Sequence, residues 1–405
     1  MKILIVSARY YPETFSITNI AEELVKMGND VTVLTGKPSY GLYEIYSGYS
    51  NIENQTINGV KIIRLNEKIR KKGFFSLVRN YLSIFHIYNS YLKKCNTKYD
   101  AVLSHVVSPI FSIHGVGRFC KKQNIPHMHY GLDLWPESLV ATGFVKKNSI
   151  VFKMMKKYCK KIYNTCDLIT FASPCTESYF HDFLKIKVPF KHIYQPCLTK
   201  LPSEEMVNNH LFKESSKCHI LYCGSVARFH HLDLFIKSIS ASSCKDQLTV
   251  TIVGSGSELE NIKKLVSDLN LNDVVTFTGR VSPKDTINFY VKADVLFAPL
   301  YNNSFTSYMI PQKVIEYFMY SRPILGMLVG DGKELITQAS KLNVVCDQTI
   351  ESLSNAIDHI CSMNEEEMTR CGLENRAFFV KNKRFQLPII CEELESSLVS
   401  LINNK

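Results

Sequence analysis

Residues 2–36 read KILIVSARYYPETFSITNIAEELVKMGNDVTVLTG. An apolar strand at 2–7 is followed by a loop through Tyr11-Pro12-Glu13, an amphipathic helix near 17–27, and a second strand at 31–36. That is a βαβ opening, the unit from which parallel sheets are built. Strands that are apolar along their whole length fit a sheet covered by helices on both faces.

The alternation continues outward from this segment. Strands are expected at 60–65 (VKIIRL), 101–106 (AVLSHV), up to Tyr130, at 168–173 (LITFAS) and in a segment reaching Tyr194. Helices fall near 74–95, 109–123 and 149–164. The polar stretch 198–215, with Pro202 and several Ser, Glu and Asn, reads as an interdomain linker. A second strand-helix series then runs through HILYCG (219–224), LTVTIVG (248–254), VTFTG (275–279), DVLFAP (294–299) and RPILGML (322–328). The expected fold class is α/β, with two doubly wound, Rossmann-like parallel-sheet domains at 1–197 and 216–385. A last helix within 386–405 crosses back to the first domain. Ligands in this architecture bind in the crevice outside the carboxyl ends of the strands.

The chain has 405 residues, of which 45% are hydrophobic and 21% charged. This excludes disordered, collagen-like and fibrous classes. No stretch approaches the roughly 18 apolar residues of a membrane span, and the apolar start is too short for a signal peptide, so a cytoplasmic protein is expected. Thirteen cysteines without C-x-x-C spacing read as reduced core residues. Charge is uneven: residues 1–200 hold 28 Lys and Arg against 13 Asp and Glu, whereas 201–405 hold 20 against 24. Two runs dominate, Lys68 to Lys72 leading into Phe74, Phe75, Leu77 and Val78, and Lys146 to Lys161 with Phe152, Met154, Met155 and Tyr158 interleaved. Mixed basic and apolar helices of this kind lie on anionic membrane surfaces, so peripheral association with the inner face of the plasma membrane is expected. No nucleic-acid-binding signature accompanies the charge.

The loops narrow the chemistry. The first turn, Ser7 to Glu13, lacks the G-x-G-x-x-G of a dinucleotide site, and neither a P-loop nor a D-x-D pair occurs. The second domain instead has glycine-bearing turns after successive strands: Gly224 to Arg228, Gly254-Ser255-Gly256 and Gly279-Arg280. Glycine allows close backbone approach, and the helix N-termini that follow favour phosphate.

Taken together, YYPETFSITNIAEELVKMGNDVTVLTG, Ser108-Pro109, YGLDLWPESL (130–139), IYNTCDLITFAS (162–173), IVGSGSELENIKKLV (252–266), FTGRVSP (277–283) and IPQKVIEYFMYSRPILG (310–326) resemble one branch of the family 4 glycosyltransferases over nearly the whole chain. The resemblance implies the two-domain GT-B fold and a retaining transfer that needs no metal or other cofactor. It also implies a role in bacterial surface polysaccharide synthesis, such as capsule or O-antigen. The donor would be a nucleotide diphosphate sugar, preferably a UDP-sugar carrying a hexose or N-acetylaminosugar, and the acceptor a lipid-linked saccharide.

Carried over position by position, Gly279, Arg280 and Val281 match the turn that reads the base. Glu316 matches the second glutamate of an E-x7-E motif that binds ribose, but Tyr308 stands where the first would be. Ser225 and His230 stand where many relatives have an Arg and a Lys for the diphosphate. Lys313 or Arg228 is left to supply positive charge, and Lys313, which fits the branch motif, is preferred. Asp133, in the loop after the strand ending at Tyr130, is the first catalytic candidate, because a carboxylate there can take a hydrogen bond or proton from an acceptor hydroxyl. Glu137 and His105 are further candidates, and Trp135 either packs on sugar or anchors the loop. Two rivals remain: a nucleotide-sugar 2-epimerase of the same architecture, and a non-catalytic glycosyltransferase-like scaffold.

Overall fold

The computed structural model describes residues 1–141, 143–208, 212, 216–282, 284–302 and 306–405. The chain divides into two compact units, Met1–Leu198 with Arg384–Lys405, and Thr199–Lys383.

The first unit holds an eight-stranded sheet made of β1 (Lys2–Ser7), β2 (Asp30–Gly36), β3 (Asn54–Ile57), β4 (Val60–Leu65), β5 (Ala101–Val106), β6 (His127–Gly131), β7 (Leu168–Phe171) and β8 (Phe190–His192). Their order is β3-β4-β2-β1-β5-β6-β7-β8. All neighbours are parallel except β3, which pairs antiparallel with β4. Strand order reverses at β1, so the switch point lies between β1 and β5. Ile3, Leu4, Ile5 and Val6 are fully buried, as a central strand covered on both faces requires. Strand β3 was not among the expected elements. Its hairpin turns through Asn58 (φ 49°) and Gly59 (φ 81°), an Asn-Gly pair that is itself the strongest short hairpin signal.

The second unit holds β9 (Cys218–Cys223), β10 (Leu248–Val253), β11 (Val275–Gly279), β12 (Val295–Pro299), β13 (Ile324–Met327) and β14 (Val344–Val345). These are ordered β11-β10-β9-β12-β13-β14 and all parallel, with the switch point between β9 and β12.

Of the stretch read as a linker, Leu198 falls in the first unit and residues 199–208 in the second. Arg376 donates to the Pro202 carbonyl at 2.7 Å and Arg322 to the Val207 carbonyl at 2.8 Å. Buried guanidinium groups with several donors need such acceptors, and this segment supplies them. Residues 209–211 and 213–215 lie outside the described residues. The helix Leu387–Asn403 belongs to the first unit. It buries Ile390, Cys391, Leu394 and Leu398, and Glu395 accepts from Asn29 at 2.6 Å. Among the described residues no helix is long and apolar enough to cross a membrane. Among the described residues no cysteine forms a disulfide, and eight of the thirteen are buried.

Candidate active site

In the second unit the three glycine turns stand side by side at the carboxyl ends of β9, β10 and β11. Gly224 N–H donates to the Val253 carbonyl at 2.9 Å, and Gly254 N–H to the Gly279 carbonyl at 2.8 Å. A side chain at Gly254 (φ 143°) would place its Cβ 1.8 Å from the Gly224 carbonyl oxygen, and one at Gly256 would come 2.2 Å from that of Val226. These two glycines are therefore required by loop-on-loop packing. Gly279 (φ 72°) meets nothing within 4 Å.

Across the switch point, the short helix Gln312–Tyr317 brings Lys313 and Glu316 to the same place. Lys313 Nζ lies over the Tyr222 ring, 4.3 Å from its centroid, shielded from solvent and without a hydrogen-bond partner. It comes within 2.8 Å of where a Cβ on Gly224 would be, so the missing side chain leaves it room. Burial pushes its pKa down to about 8, against the opposing pull of Cys223 and Glu316. Glu316 is half-buried and accepts from Thr199 Oγ1 at 2.8 Å. Burial raises its pKa, and Thr199 and Lys313 partly offset this. His230 lies beside Tyr222, ring centroids 5.8 Å apart, with its Nδ1 3.3 Å from the Pro299 carbonyl. Burial and Lys313 lower its pKa to about 4, so it is neutral at pH 7 and supplies no charge. Arg228 and Arg280 are exposed, Arg228 in the turn Arg228–His230 and Arg280 beyond the edge strand β11, while Val281 is half-buried. Tyr308 ends a 3-10 turn, Thr306–Tyr308.

In the first unit the loops after β5 and β6 meet. Asp133 N–H and Leu132 N–H both donate to the Val106 carbonyl. The Ser108 hydroxyl donates to Asp133 Oδ2 at 2.5 Å and accepts from Trp135 Nε1 at 3.1 Å. Asp133 is half-buried, and burial raises its pKa while Ser108 draws it back. Trp135 is fully buried, so it anchors the loop and does not offer a surface to sugar. The two further candidates turn inward. His105 is fully buried with Nδ1 2.8 Å from the Tyr130 carbonyl, and burial lowers its pKa to about 4. Glu137 is buried and accepts a hydrogen bond from the Tyr179 hydroxyl. Of the three, Asp133 alone is not fully buried and stands in a loop at the switch-point end of the sheet.

The turn after β1 carries something the sequence reading passed over. Arg9 is buried between Glu67 at 3.5 Å and Glu13 at 3.8 Å, and Glu13 Oε1 accepts from the Ser39 and Tyr40 N–H groups at 2.8 Å each. Neither Glu67 oxygen has a hydrogen-bond partner, and burial pushes its pKa up to about 7 despite Arg9. The signal was an Arg and a Glu four residues apart in a loop that lacks glycine.

Comparison with known proteins agrees with this layout. The profile for glycosyltransferase family 4 matches residues 15–196, and that for glycosyl transferases group 1 matches residues 217–363. The chain belongs to the family 4 glycosyltransferases. It is similar, at 22% identity over 349 residues, to an uncharacterized glycosyltransferase of Haemophilus influenzae, with 84% of each chain covered. Among solved structures it resembles sucrose-phosphate synthase from Thermosynechococcus elongatus (TM-score 0.73, 16% identity, 100% of this chain and 99% of the other). It also resembles Anabaena Alr3699/HepE in complex with UDP (TM-score 0.71, 12% identity, 99% and 100%). These likenesses show the GT-B fold. Within this family 4 glycosyltransferase, Lys313 and Glu316 lie in the group 1 match and Asp133 in the family 4 match.

Proposed function

We propose that this glycosyltransferase moves a sugar from a UDP-sugar to a lipid-linked saccharide of a bacterial surface polysaccharide, without a metal and with retention of anomeric configuration. The observation that carries the donor reading is Lys313. An ammonium held out of water with no hydrogen-bond partner, beside glycine turns at a switch point, is prepared for an anion that completes its contacts. Departure of the nucleoside diphosphate leaves negative charge on its phosphates while the sugar becomes oxocarbenium-like. Lys313 and the turn N–H groups would stabilise that charge, and Glu316 would accept hydrogen bonds from the ribose. UDP is favoured because Anabaena Alr3699/HepE, of the same fold, is described in complex with UDP. On the acceptor side, Asp133 would hold the attacking hydroxyl and take its proton as the bond to the sugar forms. Surface polysaccharide and lipid acceptor rest on the branch resemblance and on the basic, apolar surface of the first unit.

A thermal-shift screen with UDP, GDP, CMP, dTDP and NAD in EDTA tests this. UDP alone is expected to raise the midpoint, by the equivalent of about 2.7 kcal/mol at a hundred times its dissociation constant. Radiolabelled transfer to lipid acceptors then follows, with the product anomer read by NMR. No shift with any nucleotide would remove the donor reading.

A further inference from the structure

The positive surplus of the first unit is concentrated. Residues 68–99 contain eight Lys and Arg and no Asp or Glu, and residues 138–166 contain seven and again no acid. The fold makes these two segments the walls of one groove of about 570 Å³. Val78 and Leu82 of the helix Phe74–Lys94 line one side, and Phe144 and Val151 the other. Its inner wall is Tyr81 and Phe111, whose rings lie 5.9 and 5.8 Å from that of Trp135. Trp135 in turn donates to the Ser108 hydroxyl that holds Asp133. Lys146 lines the mouth, and Arg70 and Asp133 both act electrostatically on the Tyr81 phenol.

Leu82 is 55% and Val151 53% exposed, which leaves a sizeable apolar surface facing water. The volume is within the roughly 300–1,000 Å³ of ligand sites. An apolar recess with a basic mouth and no carboxylate on either segment complements a hydrocarbon chain that ends in an anion. The most exposed apolar side chains of the same segments, Phe75 (88%), Ile150 (76%) and Met154 (67%), do not line the recess. They are placed to meet a bilayer, whereas the recess suits one chain drawn out of it.

We infer that this groove holds the hydrocarbon chain of the acceptor, a single-chain polyprenyl diphosphate, with the diphosphate at Lys146 and the saccharide directed toward Asp133. The inference rests on the reading above that the acceptor is lipid-linked. The probe is farnesyl diphosphate below its micellar concentration, against inorganic diphosphate, without vesicles. Binding is followed by calorimetry and by the emission of Trp135, the chain's single tryptophan. Saturable binding of farnesyl diphosphate, but not of diphosphate, is expected. It should be at least tenfold weaker in Leu82→Asp and Val151→Asp, both surface positions, and unchanged in Ile150→Asp. Equal binding of the two probes, wild-type binding in both groove variants, or an equal loss in Ile150→Asp overturns the inference. The UDP shift is measured on the same samples. If it persists while the groove fails, only this inference falls; a missing UDP shift counts against the donor reading and leaves the groove result to be judged separately.

Discussion

The two units share a doubly wound plan but use positive charge in opposite ways. The second withdraws one ammonium, Lys313, from water and leaves it without a hydrogen-bond partner. The first sets fifteen Lys and Arg, mostly exposed, along two acid-free segments around an apolar groove. A shielded charge interacts strongly with one anion and is little affected by salt. Exposed charges each contribute little, act together over a surface, and are screened over about 10 Å at 0.1 M salt. One arrangement suits a small ligand at a point, and the other would suit a surface or an amphiphile.

The largest expected effect separates the two halves of the reaction. Asp133→Asn keeps the Ser108 contact but loses the proton acceptor, so transfer should fall roughly 10²- to 10⁴-fold while the UDP thermal shift is retained. Loss of both together would mean that Asp133 only supports folding. Next comes Gly254→Ala, whose Cβ would overlap the Gly224 carbonyl at 1.8 Å. It should cost about 1–3 kcal/mol, a lowered midpoint of about 2–4 °C per kcal/mol, and should disturb the donor side only.

Lys313→Met sharpens the contrast between buried and exposed charge. Its UDP affinity should fall at least about tenfold, or about 1.4 kcal/mol, whereas its ligand-free midpoint should not drop, because an unpaired buried charge is replaced by an apolar chain. The wild-type pH profile tests the same group. Diphosphate favours the protonated lysine, so UDP binding should weaken as pH rises through about 8. Lys313→Met should not show that decline. The smallest effect is expected at the surface: Lys71→Gln should weaken binding to anionic vesicles by about 1 kcal/mol, read by sedimentation, and 0.5 M salt should erase the difference. Unchanged vesicle binding at low salt would remove Lys71 from the membrane-facing surface.

The central strands were legible because a parallel strand covered on both faces leaves an uninterrupted apolar run, as in KILIVS and AVLSHV. Edge elements were not: β3 and β14 are short and only partly buried, and carry no such run. Asp133 and Lys313 stood out from their motifs. Ser108 was visible as part of the Ser108-Pro109 motif, but its role was not, because a serine before a proline has no pattern that announces a hydroxyl bridging Asp133 and Trp135. Glu137 and His105 were reasonable candidates by residue type, yet both turn into the core.

By itself the sequence determined the α/β class, the two sheets in series, the glycine turns and the surplus of positive charge in the first half. These follow from periodicity and composition, which are local properties of the chain. Only the tertiary structure decided that Lys313 lies over Tyr222 without a hydrogen-bond partner, that His230 is neutral, that residues 199–208 pack on the second unit, and that apolar residues beside two basic runs some 70 residues apart line one groove. The physical reason is that desolvation and close packing sum over residues distant in sequence, and no local pattern carries that sum.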